Sequence, residues 1–328
     1  MTALQSPIPN WALAVLSSPG GHGQLVQSGD MLHDRNGNAV ARIVDGVVCC
    51  SVRADDPSIA FYKAAGGAQF HERSKVAYAM TTLDTPVYRA YLDRIRPDAR
   101  PDAVIADIGG GDGRNAVPWL EAGFHRIIVV DPIASALMRL RQRIAASNPE
   151  WLPRLLLIEG DARHLPLRTE SCGAVQSVEA LEYLNEDFRL GLMESVRILR
   201  PNCRMLIADR DHEGSLLMRL FYFGGVAGML EHADTRDLWD GSPGNMVRSR
   251  AFTAAEYRAM AESCNLRIVE ELGISSLSLV LSYLRGEGKI SADDEAHLAK
   301  VHALLAKLGM EGRMRRSHVL ICEKPMNR

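Results

Sequence analysis

From residue 104 onward, short apolar runs alternate with stretches of helical spacing. The runs are Val104–Ile108, Ile127–Asp131, Leu155–Glu159, Ala174–Val178, Met205–Asp209, Leu266–Glu270 and His318–Glu323. Runs of this length bounded by turn residues predict buried strands. Between them, Arg114–Ala122, Ile133–Ala146, Asp187–Leu199 and Thr253–Cys264 place apolar residues on one helical face. The last opens with Thr253-x-x-Glu256, a capping box. Strands alternating with helices predict an α/β fold built on a doubly wound, mostly parallel sheet.

The chain before residue 104 reads differently. Residues 1–60 form a β-rich leader. Asn36-Gly37 and Asp45-Gly46 separate strand-like runs, which predicts a small meander of hairpins. Residues 61–96 read as mostly helical, with breaks at Gly66-Gly67 and Pro86. Two helical inserts interrupt the later alternation, at about 210–251 and 272–316. The first carries Leu216, Leu217, Leu220, Phe221 and Phe223 before Gly224-Gly225, which suits a lid or a dimer surface. The second holds a helix from Ser291 to Leu308 with Leu298, Val301 and Leu305 on one face. The division is therefore a leader, 1–60, and a main domain, 61–328.

Composition narrows the function class. The chain of 328 residues is 47% apolar and 24% charged, with a net charge of −2. That is an ordinary globular balance, with no basic stripe for nucleic acid. No apolar run approaches a membrane span. Six cysteines are scattered without a C-x-x-C pair, which disfavours structural zinc and fits a reducing cytoplasm. No nucleic-acid, membrane or metal partner is expected; a homodimer is left open.

The densest chemical signal is Val104-Ile-Ala-Asp-Ile-Gly-Gly-Gly-Asp-Gly-Arg-Asn-Ala116. Glycine at 109, 110, 111 and 113 strips side chains from a turn between a buried strand and a helix. Bare backbone there admits a nucleotide-type cofactor beside N–H groups at the helix start. A dinucleotide fingerprint beginning at Gly109 would need glycine at position 114, which is Arg114. The unshifted frame is Asp107-x-Gly109-x-Gly111-x-Gly113, which resembles the first motif of class I S-adenosylmethionine-dependent methyltransferases. Asp131 ends the second strand in Val-Val-Asp-Pro132, where a carboxylate can accept both ribose hydroxyls of either cofactor type.

Further segments carry the resemblance onward. Gly160-Asp161-Ala162 with Leu165-Pro166 is similar to the family's "G-D-A…L-P" segment. Ala174–Val178 with Leu181 and Leu184 resembles its fourth-strand motif, with Gly173 where an aspartate is usual. Arg197-Ile-Leu-Arg-Pro201 resembles "R-V-L-K-P", with Asn202 and Cys203 in place of glycines. Phe252-Thr253 and Val319–Lys324 resemble the helix start and last strand. Phe70–Lys75 resembles the helical lead-in that closes over the cofactor. The leader resembles a zinc-ribbon-like module that precedes some bacterial methyltransferases, without its cysteines.

The resemblance, over about residues 61–328, implies a Rossmann-like seven-stranded sheet whose last strand is antiparallel. It implies S-adenosylmethionine as cofactor and S-adenosylhomocysteine as product. The site residues implied are Asp107, Gly109, Gly111, Gly113, Asp131, Pro132, Asp161, Ala162 and Val178. Asp161 would accept from the adenine amine, and the Ala162 N–H would bond the ring. For catalysis the candidates are Glu179 and Tyr183 after the fourth strand and His212 after the fifth, where Arg210 to Glu213 cluster. The expected reaction is methyl transfer to an oxygen or nitrogen of a small molecule, with secondary metabolites among the candidates. A binding module without turnover and an NAD(P)-dependent oxidoreductase are the competing readings.

Overall fold

A computed structural model describes residues 8–19, 22–64, 78–97, 102–222, 225–231, 233–242, 245–312 and 314–326. The lead-in expected at 70–75 lies outside the described residues.

The leader supplies β1 (Val26–Ser28), β2 (Met31–His33), β3 (Ala39–Val44) and β4 (Val47–Cys50), followed by helix α1 (Pro57–Ala64). Asp45 (φ 50°) and Gly46 (φ 76°) make the tight turn between β3 and β4 that the D-G pair predicts. After α2 (Asp84–Leu92), the main strands are β5 (Val104–Ile108), β6 (Arg126–Asp131), β7 (Leu155–Glu159), β8 (Cys172–Val178) and β9 (Leu199–Arg210). A hairpin of β10 (Asp237–Ser242) and β11 (Asn245–Arg250) follows, then β12 (Arg267–Ser275) and β13 (Arg315–Glu323).

One sheet of eleven strands runs in the order β12-β13-β9-β8-β5-β6-β7-β4-β3-β2-β1. The expected count was seven. Seven strands do form the main-domain part, and β13 runs antiparallel to β9 as expected. The surplus comes from the leader, because β4 pairs in parallel with β7, Val47 opposite Leu157. The exposed edge that β7 would present is thereby covered.

Alternation along the strands divides the core. Val104, Ala106, Ile108, Ile128, Val130, Leu156 and Ile158 face one side, where leader residues Leu16, Leu25, Leu32 and Val48 join them. Ile105, Ile127, Val129, Leu155 and Leu157 face the other, with Val47, Tyr88 and Trp119. Val47 and Val48 thus continue the period-2 pattern of the main strands across the junction. Each such side chain, fully buried, contributes roughly 1.5–3 kcal/mol.

The chain lays down β5, β6 and β7 outward, then returns to place β8 on the other side of β5. Ligands of doubly wound sheets bind beyond the carboxyl ends of the strands at such a reversal. The helix expected at Arg114–Ala122 shortens to Val117–Glu121, because residues 111–116 are used up in turns. The capping box at Thr253 and Glu256 forms in both directions. The insert helix splits into Ala292–Glu295 and Leu298–Met310, and Ser291 bonds Asp294 at its start. Among the described residues, no helix is long and apolar enough to cross a membrane, and no group of His, Cys, Asp and Glu could hold a metal ion.

Candidate cofactor and acceptor site

A cavity of about 290 Å³ opens at the carboxyl ends of β5, β6, β7 and β8. The sequence-predicted residues Gly109, Gly111, Asp131, Pro132, Asp161, Ala162 and Val178 all line it, as do Glu179 and Tyr183. Asp107, Gly113 and His212 do not.

The glycine turn is built for close approach. Gly109 has φ 73°, and a Cβ there would stand 2.2 Å from the Ala180 Cβ. At Gly110 a Cβ would stand 2.6 Å from Asp107 Oδ2. Asp107 therefore packs beneath the turn. Burial pushes its carboxyl up to about 7, and Oδ2 has no hydrogen-bond partner. Gly113 serves packing instead, since a Cβ would meet Leu140 Cδ1 at 2.7 Å.

Asp131 joins the turn to β6. Its Oδ2 accepts from the Gly111 N–H (2.9 Å) and its Oδ1 from the Ile133 N–H (2.9 Å). Each carboxylate oxygen keeps another lone pair, enough for two vicinal hydroxyls. Burial raises this carboxyl to about 6.

Asp161 meets a partner that its local sequence did not announce. Arg163 turns back on it, with Nε 2.8 Å from Oδ1 and Nη2 2.8 Å from Oδ2. The same guanidinium reaches Asp56 of the leader (2.7 Å) and Asp187 (3.3 Å). Asp56, Ser58 and Ile59 line the cavity, with Tyr62 next along α1, so the leader forms part of its wall. Asp56 and Arg163 stand 107 positions apart, and no local period could pair them.

Charged and aromatic groups gather at the end of the cavity farther along β8. The Tyr62 and Tyr183 rings meet edge to face, 5.3 Å apart. Tyr183 donates to Asp240 of the hairpin (2.9 Å), and Arg210 bonds the same carboxylate (2.8 Å) and pairs with Glu182 (3.0 Å). Burial, with Asp240 beside it, drives the Tyr183 hydroxyl well above its ordinary value, so it stays a neutral donor. Glu179 takes a left-handed backbone (φ 53°) directly after β8. Burial alone would raise its carboxyl, yet Arg316 first, then Arg114 and Arg210, outweigh it and hold it at about 2. Neither group accepts a proton readily near neutrality.

His212 lies at the start of the helix His212–Tyr222. Its Nε2 contacts the Ala233 carbonyl (3.1 Å), and burial lowers its pKa. His212 does not line the cavity; its ring is engaged with the Ala233 carbonyl instead. Among the described residues, neither expected lid lines the cavity beyond Arg210; the hairpin acts from behind through Asp240.

The donor set suits a nucleoside cofactor with an amino-acid tail. A glycine cradle, the two-oxygen Asp131 carboxylate and the Arg114 guanidinium line one space. Residues 106–207 match the family model described as a methyltransferase domain. The match covers 102 of the 328 residues. It spans the turn, Asp131, Asp161 and the Glu179–Tyr183 stretch. No curated protein matches the chain. In fold, the chain is similar to a solved structure from Listeria monocytogenes assigned as an S-adenosylmethionine-dependent methyltransferase. The identity is 13%, over 74% of this chain and 98% of that one, with a TM-score of 0.52. A chain from the complex between the Haloferax volcanii Trm112 methyltransferase activator and a protein assigned as a methyltransferase aligns at 18% identity. It covers 85% of this chain and 99% of its own, with a TM-score of 0.49. Geranyl diphosphate C-methyltransferase from Streptomyces coelicolor aligns at 13%, over 72% and 75% of the two chains, with a TM-score of 0.47.

Proposed function

We propose that the chain is an S-adenosylmethionine-dependent methyltransferase acting on an oxygen or nitrogen of a small molecule. The observation that carries this reading is the convergence of Gly109, Gly111, Asp131, Asp161, Ala162 and Val178, all within the matched segment, on one cavity. Asp131 would accept the ribose hydroxyls. Asp161, already fixed by Arg163, would border the adenine with the Ala162 N–H. Arg114 would meet the α-carboxylate.

When bound, the cofactor supplies an electrophilic methyl group on a sulfonium. The chain's own residues then position the acceptor and exclude water. Tyr62, Tyr183, Met80 and Leu184 give the acceptor end an apolar, aromatic wall. Tyr183 orients rather than deprotonates, since its proton is held toward Asp240. An acceptor that is a neutral amine, or whose hydroxyl ionises readily, fits a wall without a base of neutral pKa.

The test is turnover. The chain is incubated with methyl-labelled S-adenosylmethionine and a panel of aromatic amines and phenols, and label transfer is measured with S-adenosylhomocysteine release. Stoichiometric transfer to one class supports the reading. Cofactor binding without transfer to any member of a broad panel would favour a binding module.

A further inference from the structure

Arg316 lies on β13, a strand that contributes nothing to the cavity lining. Its side chain is 4% exposed. One end of the guanidinium, Nη2, meets Asp84 Oδ2 at 2.5 Å, and the other, Nη1, meets Glu179 Oε1 at 2.6 Å. Glu179 Oε1 also accepts from Ser317 Oγ (2.8 Å) and the Tyr88 hydroxyl (3.3 Å). The second oxygen, Oε2, is buried without a hydrogen bond and faces Arg114 Nη2 at 3.6 Å. Arg114 lines the cavity beside Glu179 and is the more open of the two, its side chain 23% exposed against 5%. It is steadied by the Met80 carbonyl (3.1 Å) and stacks over the Tyr88 ring, 5.6 Å from its centre.

Charges thus alternate from the interior to the cavity wall: Asp84, Arg316, Glu179, Arg114. A buried carboxylate without a cation would neutralise itself. Arg316 removes that option and keeps Glu179 ionised behind Arg114. An ionised Glu179 holds the Arg114 fork at the end of the glycine turn, since Arg114 directly follows Gly113. A guanidinium fixed in this way is preformed for a carboxylate, and less rotamer entropy is lost when one binds.

We propose that Arg316 is a positioning residue for the amino-acid end of the cofactor, acting through Glu179 and Arg114. This rests on the cofactor reading above. Arg316 touches no ligand; its effect falls only on ligands that carry the amino-acid carboxylate.

That restriction gives the test. Binding of S-adenosylhomocysteine and of 5′-methylthioadenosine, which shares the adenosine and sulfur but lacks the amino acid, is measured by calorimetry. The proteins are the unaltered chain, Arg316→Met, Arg316→Lys and Glu179→Gln. Arg316→Met is expected to weaken S-adenosylhomocysteine by about tenfold or more, the worth of roughly one charge-assisted contact. Affinity for 5′-methylthioadenosine should stay within about twofold, and Arg316→Lys should recover part of the loss. If Arg316→Met fails to fold, Glu179→Gln carries the same comparison, because it removes the charge behind Arg114 and keeps the shape. Equal losses for both ligands, or no loss for either, overturn the proposal. If the unaltered chain binds neither ligand, the cofactor reading itself is wrong and the proposal falls with it.

Discussion

The Asp56 carboxylate accepts from Arg163 Nη2 at 2.7 Å, and this contact ties the N-terminal leader to the Asp161 side of the cavity. Asp56 precedes α1, and Arg163 lies in the loop after β7. Arg163 is in turn the partner that fixes Asp161. The leader is therefore coupled to the cavity by charge as well as by the pairing of β4 with β7.

Breaking this link tests the coupling. Arg163→Met leaves Asp161 and Asp56 buried without their cation. A loss of about 3–5 kcal/mol in stability is expected, since one partner of a buried pair has been removed. Asp56→Asn is the milder probe, because Arg163 keeps Asp161 and Asp187. It should weaken S-adenosylhomocysteine binding several-fold with an unchanged far-ultraviolet circular dichroism spectrum. Unchanged affinity would confine the leader to a structural role.

The glycines separate by function. Gly109→Ala places a Cβ against Ala180 at a positive φ, so the turn must move and cofactor binding should be lost. Gly113→Ala drives a Cβ into Leu140, away from the cavity. It should lower Tm, by about 1–3 kcal/mol of stability, while affinity in the folded fraction stays close to that of the unaltered chain. Thermal unfolding and calorimetry on both variants check the split.

Asp131 gives a pH signature. Its folded pKa of about 6 lies above the ordinary 3.8. The protonated form thus favours the folded, ligand-free chain at low pH, and that contribution is lost as pH rises through about 6. Binding runs the other way, because ribose hydroxyls donate to the ionised carboxylate. Affinity for S-adenosylhomocysteine should fall as pH drops below about 6, and Asp131→Asn should bind weakly at every pH with this dependence flattened. A dependence that persists in Asp131→Asn would assign it to another group.

At the acceptor end, Tyr183→Phe removes the donor to Asp240 and the hydroxyl beside Arg210. A fall of about tenfold in kcat/KM is expected, with an unchanged pH profile, since the hydroxyl does not titrate in the accessible range. His212→Gln should leave turnover within about twofold, because His212 does not line the cavity. A large loss there would return the reacting centre to the start of that helix.

Much of the fold was legible because β5, β6 and β7 are short, mostly apolar runs bounded by turn residues, while β9, β12 and β13 extend past their apolar stretches to Pro201, Glu271 and Arg315. The D-G turn and the Thr253 capping box were equally local, and both formed. What local pattern cannot supply is the partner of a strand. The apolar run after the D-G turn marks Val47–Cys50 as a strand, but nothing in it says that β7 lies alongside, so eleven strands read as seven plus a leader. The same holds in the site. Asp131 and the glycines sit at strand ends, where chain order places them. Arg163 with Asp56, and Arg316 with Glu179, join distant positions and emerge only from the packed structure. Arg114 was visible only as a departure from the dinucleotide pattern; its place on the cavity wall follows from the turn that shortens its helix.

Calorimetry of the full chain with S-adenosylhomocysteine, NAD and NADP tests the central claim most directly. The account predicts binding of one S-adenosylhomocysteine per chain, weakened at least tenfold by Asp131→Ala, and no binding of either dinucleotide. Binding of NAD or NADP in place of S-adenosylhomocysteine, or affinity undiminished in Asp131→Ala, would contradict it.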